Sequence, residues 1–363
     1  MKSKKRVAIV GTNGIPARYG GFETLVNYLT ENNNSGKIEF TVFCSRTPKN
    51  KQLKTFNNAK LIYLPFKANG SQSIAFDILS LINVWFKYDR VLLLGTSGAT
   101  IIPFLKLFKK TRLIVNFGGF EWKRDKWNWM VRKLLKWSET ISIRFSDTII
   151  ADNQVFVDYI SDHYHKESKL IEYGGDHVNK QIPTKQIIEK YPFLNNHYGI
   201  SISRAQPDNQ IHLLLKAYVK SKSKEALVII SNWSKFDYGK NLLKKYKNVT
   251  NLFLLDAVYD LSVLNTLRSN ASYYIHTHSF CGTAPSLVEA MHHELPIISY
   301  DAPTNIATTE NKAIFFHTVS ELSDILLSIS SIELTQIARN MQDIAKRRYT
   351  WQKISNKYYE TLL

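Results

Sequence analysis

The chain has 363 residues, which at about 150 residues per domain gives room for two domains. Its 44% hydrophobic and 21% charged residues exclude global disorder, a collagen-like repeat and a low-complexity fibre. Lys and Arg outnumber Asp and Glu by 48 to 30, a net charge of +18, and the two cysteines, Cys44 and Cys281, are too few for a disulfide framework, which points to a reducing compartment.

Short β-branched runs alternate with amphipathic segments, the pattern of βα units and parallel sheets. The first half predicts strands over 6–10, 38–44, 60–64, 90–94, 112–116 and 148–151. Helical patterns lie between them at 22–29, 73–86 and 126–144. The polar, turn-rich stretch 174–198 then predicts a linker leading into a second domain. The alternation resumes with strands at 199–203, 226–230, 251–255, 272–276 and 296–300, and a helix at 211–221. The predicted fold class is α/β: two doubly wound Rossmann-like domains facing across a cleft. Their limits are 1–173 and 199–345, and a terminal helix at 346–363 is expected to pack back on the first domain. Ligands of such sheets bind outside the carboxyl ends of the strands. The apolar run at 7–10 is too short for a signal segment, and the stretches at 74–86 and 91–105 are interrupted by Asp77, Asn83, Gly95, Ser97 and Gly98. A soluble or peripheral protein is expected.

Charge is concentrated at one end. Residues 1–150 carry 25 basic and 9 acidic residues, net +16, and the remainder adds only +2. Nucleic acid, an anionic membrane and a phosphorylated ligand all fit such a field.

The first βα loop, Gly11-Thr-Asn-Gly14-Ile-Pro-Ala-Arg18-Tyr-Gly20-Gly21-Phe-Glu23-Thr24, runs from a strand into a helix whose N-terminal amides favour an anion. Its glycine spacing is not that of a dinucleotide site, and the second strand ends at Ser45-Arg46 without an acidic residue for a ribose. A plain tight turn competes with an anion-binding loop. The next glycine pair, Gly118-Gly119, precedes Phe-Glu121-Trp-Lys123-Arg124, where a carboxylate stands beside two cations at a strand exit. A solvated helix start is the alternative. Trp129, Arg132, Lys133, Lys136 and Trp137 interleave indoles with cations, as a membrane surface would require, although core tryptophans with solvated cations give the same pattern.

In the second half Arg204 follows an apolar strand, placed to clamp a diphosphate with its guanidinium fork. The richest stretch is His276-Thr-His278-Ser-Phe-Cys281-Gly282-Thr283-Ala-Pro285-Ser286-Leu287-Val-Glu289-Ala-Met. A Gly-Thr turn and a Pro suited to a helix start offer free amides to an anion, and Glu289 lies one turn on, able to accept from sugar hydroxyls. His276, His278 and Cys281 suggest zinc, but no fourth ligand of suitable spacing is present, so no metal site is predicted.

On GTNGIPARYGGFET, GGFEWKRDKW, YGGD at 173–176 and HTHSFCGTAPSLVEAM, the chain resembles bacterial nucleotide-sugar glycosyltransferases of the GT-B type. It is similar to the retaining family 4 and, within it, to rhamnosyltransferases of capsule and cell-wall polysaccharide assembly. The resemblance implies a C-terminal domain that holds the nucleotide diphosphate with Arg204 and the amides of Gly282–Leu287. Glu289 matches the second carboxylate of a Glu-x7-Glu pair that bonds the ribose; Cys281 stands at the first, and Asn209 replaces a family lysine. An Asp of close relatives is Gly118 here, which leaves Glu121 as the nearest catalytic candidate beside Arg204.

The implied reaction moves L-rhamnose from dTDP-rhamnose to a lipid-linked saccharide, with no cofactor beyond the nucleotide sugar. No Asp-x-Asp triplet occurs, so a metal-dependent diphosphate site is not expected. Gly14, Arg18, Gly20, Gly21, Glu23, Gly118, Gly119, Lys123 and Arg124 would face the acceptor. Partners would be the donor, a pyrophosphate-linked acceptor and an anionic membrane, not nucleic acid, at the cytoplasmic face of the cell membrane. Other donors (UDP- or GDP-hexose) remain open, as do an inactive partner subunit and a non-enzymatic protein that binds nucleic acid or membrane.

Overall fold

A computed structural model describes residues 4–17, 20–34, 36–68, 72–108, 111–124 and 127–363. The chain divides into two compact units, Met1–Tyr173 with Trp351–Leu363, and Gly174–Thr350.

The first unit is built on strands β1 (Lys5–Val10), β2 (Ile38–Cys44), β3 (Thr55–Phe56), β4 (Ala59–Tyr63), β5 (Arg90–Leu94), β6 (Arg112–Asn116), β7 (Thr148–Ala151) and β8 (Lys169–Leu170). They form one sheet in the order β3-β4-β2-β1-β5-β6-β7-β8, parallel except for β3. Every residue of β5 is buried, because helices cover both faces of a parallel sheet and leave no polar side. These helices are α1 (Gly21–Glu31), α2 (Ser73–Trp85), α3 (Ile102–Phe108), α4 (Trp129–Phe145) and α5 (Gln154–Tyr164). The C-terminal helix Trp351–Leu362 also belongs here. Its Trp351 ring stacks on Tyr28 at 4.7 Å, its Tyr358 hydroxyl accepts from the buried Asn116 amide at 2.6 Å, and Tyr359 donates to the Leu29 carbonyl.

The second unit orders its strands β11-β10-β9-β12-β13-β14, all parallel. They are β9 (Tyr198–Ile202), β10 (Ala226–Ser231), β11 (Leu252–Asp256), β12 (Tyr273–His276), β13 (Ile297–Tyr300) and β14 (Ile314–Phe316). The helices are α6 (Lys185–Lys190), α7 (Ile211–Ser221), α8 (Asp237–Tyr246), α9 (Leu261–Ser269), α10 (Pro285–His292), α11 (Pro303–Thr308), α12 (Val319–Ser328) and α13 (Thr335–Arg348). A core of Leu214, Leu227, Trp233, Tyr273, Ile298 and Leu322 lies on one side of the sheet.

Residues 174–198, expected as a linker, pack as part of the second unit. Gly175 donates to the Tyr349 carbonyl at 2.8 Å, Thr184 caps α6, and Phe193 is buried against Tyr198. The terminal segment expected at 346–363 divides at Trp351, the point where the chain returns to the first unit.

In each sheet the strand order reverses beside its first strand, between β1 and β5 and between β9 and β12. Such switch points open a crevice at the carboxyl ends of the strands, where the connecting loops part to opposite faces.

Candidate functional site

The second unit's switch point gathers three segments. Arg204 follows β9, with its backbone carbonyl accepting from the Asn209 side chain at 2.8 Å. The loop after β12 is tied to this one: Ser279 donates through its amide and its hydroxyl to the Asp208 carbonyl, at 3.2 and 3.0 Å, and the Thr277 hydroxyl donates to the Asn209 carbonyl. From the first turn of α11, the helix that follows β13, Asn305 donates to the carbonyls of His278 and Tyr300, both at 2.9 Å. Asn209, expected among the donor-binding residues at the position of a family lysine, is buried and has its side-chain amide bonded within its own loop. The Arg204 guanidinium is half-buried and has no hydrogen bond or ion pair among the described residues.

Helix α10 starts beside these loops. Ala284 is its cap and Pro285 its first residue, as a fixed φ and a missing N–H favour. Leu287 donates its amide to Ala284 at 3.1 Å, so the anion-binding set expected over Gly282–Leu287 is smaller. Pro285 has no N–H, and the amides of Gly282 and Ser286 remain without an acceptor among the described residues. Thr283 is buried on the same turn, and the Ser286 hydroxyl bonds Tyr274.

Glu289 is nearly enclosed, its side chain 13% exposed. It pairs with Arg268 of α9 through one oxygen and receives His177 Nε2 at 3.3 Å on the other. Burial disfavours its charge, yet the Arg268 guanidinium and His177 overcome this and hold the carboxyl at about 2. It is therefore a fixed acceptor, and its positioning partners come from α9 and the segment before α6. Local sequence gave no sign of either.

At the first unit's switch point, the Glu23 carboxylate turns into its own loop. One oxygen accepts from Thr12 Oγ1, Asn13 N and Asn13 Nδ2 at 3.2, 2.8 and 2.9 Å, and the residue is 8% exposed. It pins the loop from within. Gly20, at φ +128°, leaves its space to the other Glu23 oxygen, 1.9 Å from where a Cβ would stand. Gly14 lies against Cys44, and Gly21 opens α1. Arg18, expected among the acceptor groups, falls outside the described residues, as do Asp125 and Lys126.

The Phe22 ring joins this loop to the one after β6, since it lies against both Gly95 and Gly118. Gly118 has φ +65°, and a Cβ there would come within 2.8 Å of that ring. The Asp of the resembled family has no room in this loop as it stands. Gly119 lies against Phe156. Glu121, the catalytic candidate, is engaged: Arg124 Nε lies 2.8 Å from one oxygen, and Trp127 Nε1 donates to the other at 3.1 Å. Lys123 rests on the Phe120 ring at 4.3 Å.

Farther along α4, Trp129 and Trp137 are 65% and 55% exposed, so these indoles are surface groups and not core. Met130 and Leu134 of α4 and Phe104, Leu107 and Phe108 of α3 are exposed with them. Lys133 caps the Trp129 ring at 4.9 Å, and Arg132 Nε donates to the Trp127 carbonyl. Lys136 departs from its expected membrane role. Its ammonium bonds the buried Glu139 at 2.7 Å and the hydroxyls of Tyr159 and Tyr164, while the Trp122 indole donates to the other Glu139 oxygen at 2.8 Å. This network fastens α4 to α5 and to the loop after β6. No described helix is long and apolar enough to cross a membrane.

Residues 184–348 match the family described as glycosyl transferases group 1, and residues 4–176 match a domain of unknown function, DUF1972. No curated protein matches the chain by sequence. Among solved structures it is similar to sucrose-phosphate synthase from Thermosynechococcus elongatus, with TM-score 0.80 and 12% identity over 99% of this chain and 98% of that one. It is also similar to Anabaena HepE in complex with UDP or UDP-glucose (TM-score 0.76, 16% identity, 99% of each chain). A glycosyltransferase from Rickettsia africae gives TM-score 0.73 at 13% identity over 100% of this chain and 98% of that one. Residues 184–348 thus match the model of the group 1 glycosyl transferases, and the chain has the two-domain α/β fold of the GT-B glycosyltransferase structures.

Proposed function

We propose that the protein transfers a sugar from a nucleoside diphosphate to a saccharide acceptor. The observation that carries this is the second unit's switch point, where a half-buried Arg204, without a partner among the described residues, emerges on a loop bonded to the one that begins α10. Arg204 and the amides of Gly282 and Ser286 would meet the diphosphate, and they stabilise the charge that grows on it as the glycosidic bond breaks. Glu289, already ionised and held, would accept from a ribose or sugar hydroxyl. With Cys281 at the family's first carboxylate and Glu121 bound to Arg124 and Trp127, the reading favours a retaining transfer without an enzyme nucleophile. The departing diphosphate oxygen then takes the proton of the incoming hydroxyl on the same face. No divalent cation enters this step.

The sugar rests on two separate supports. The motifs of the first unit resemble rhamnosyltransferases and favour dTDP-rhamnose, whereas the HepE complexes contain UDP and UDP-glucose. A pyrimidine nucleotide is common to both. The acceptor we infer is a lipid-linked, pyrophosphate-bearing saccharide at the cytoplasmic membrane face. It would answer the +16 charge of residues 1–150 and the exposed Trp129, Trp137, Leu107 and Phe108.

A thermal-shift series with UDP-glucose, dTDP-rhamnose and a GDP-hexose tests the donor. A true donor at a hundredfold excess over its Kd should stabilise by about 2.7 kcal/mol, and Arg204→Ala should abolish the shift. No shift with any nucleotide sugar would overturn the transferase reading, and a strict requirement for Mg²⁺ or Mn²⁺ in transfer would overturn the metal-free step.

A further inference from the structure

His276 ends β12 and His278 follows two residues later, so extended backbone puts both rings on one side of the chain. The rings lie 4.3 Å apart. The turn at Phe280 brings Cys281 back, with its Sγ 4.0 Å from His276 Nε2 and 3.8 Å from Asn305 Oδ1. One ligand atom from each of His276, His278 and Cys281 lies within 4.8 Å of the other two. His276 is 1% exposed, and its Nδ1 has no hydrogen-bond partner. A buried imidazole held this incompletely is costly in a purely hydrogen-bonded turn, and such an orphan is a recognised mark of a missing ion or water.

We propose that His276, His278 and Cys281 form a site for a borderline-soft divalent ion, Zn²⁺ or its analogue Co²⁺. Two imidazoles and a thiolate suit zinc, whereas hard oxygen-seeking Mg²⁺ would gain nothing here. Binding displaces the Cys281 thiol proton to solvent and leaves the metal's fourth position open to water. The fourth protein ligand that the sequence lacks is not required for an open site of this kind. The ion would staple residues 276–281, and the hydrogen bonds from Ser279 and Thr277 would pass that restraint to the loop of Arg204. It carries no part of the transfer chemistry, and the site stands whether or not the protein is a transferase.

Cobalt titration of chelator-treated full-length protein reads this directly. One equivalent of Co²⁺ should produce a thiolate-to-cobalt charge-transfer band in the near ultraviolet, and one equivalent of Zn²⁺ should bleach it. The only other cysteine, Cys44, is 1% exposed, and burial pushes its thiol up to about 11, so the band would report Cys281. Cys281→Ser should remove the band, and His278→Asn should weaken Zn²⁺ binding at least tenfold, each with an unchanged metal-free melting curve. Absence of the band in the parent protein, or its survival in Cys281→Ser, would overturn the site. If a variant's metal-free melt shifts, alkylation of Cys281 in the parent protein replaces it and must likewise abolish the band.

Discussion

His293 closes α10 next to the Glu289 network, 3% exposed, between Asn265 Oδ1 and Ser269 Oγ, both at 3.3 Å. Burial disfavours its cation, and Arg268, His292 and Lys180 oppose it further, against a partial offset from Glu289, so it titrates at about 3. Below about pH 6.5 the unfolded chain binds a proton that the folded one refuses, and stability falls as pH drops toward 3. At pH 5 the loss from this residue should reach about 2 kcal/mol. Glu289 acts lower: its contribution is complete above about pH 4.5 and is lost as pH falls toward 2. His293→Gln should lessen the fall in denaturant-measured stability between pH 7 and 5 by about 2 kcal/mol, the remainder belonging to other buried imidazoles such as His276, and an unchanged slope would exclude His293 as a source. Gly118 supplies a second residue-scale expectation. Gly118→Asp, which restores the resembled family's carboxylate, should cost about 1–3 kcal/mol in chemical denaturation, because φ +65° and the Phe22 ring both oppose a Cβ. Legibility at this scale follows contact distance. Arg204 and Pro285 could be read from their neighbours in sequence, but the roles of His177 and Arg268 depend on pairing with Glu289 across the fold.

Among elements, the central strands were legible because parallel strands buried on both faces become unbroken β-branched runs, as in Ala226–Ser231. The edge strands were not. β3 and β8 are two residues each and β14 three, too short to show a period. Helix α4 gave its position but not the division of labour along it. Lys136 and Glu139 face the Tyr159–Tyr164 cluster, whereas Trp129, Lys133 and Trp137 face outward. Replacing the outward set, as Trp129→Ala, Lys133→Glu and Trp137→Ala together, should reduce binding to anionic vesicles at least tenfold in a sedimentation assay. Melting should change little, since these side chains bury little surface. Retained vesicle binding would remove α4 from the membrane reading.

At the scale of the whole molecule, the first unit is discontinuous. Residues 4–173 include all eight strands of its sheet, but the helix over 351–362 supplies the partners of Tyr28, Asn116 and Leu29. A fragment spanning 1–173 should therefore lack a cooperative thermal transition, and a peptide spanning 350–363 added in trans should restore one. A sharp transition in the fragment alone would show that the helix is dispensable. The two-domain division was readable from the pause in alternation near residue 174, and a return of the terminal helix to the first domain was expected, but its start was set at 346 because α13 runs on to Arg348 and nothing local marks the crossing at Trp351.

That return of the chain has a consequence for biosynthesis. An N-terminal domain ordinarily folds on the ribosome as soon as it clears the exit tunnel. Here the first sheet must wait, with its Asn116 and Tyr28 sites uncovered, while residues 174–350 are translated, about 10–35 s at usual elongation rates. The later-made second unit can close first, so maturation runs opposite to synthesis, and the nascent first sheet is the part of the molecule most exposed to chaperones.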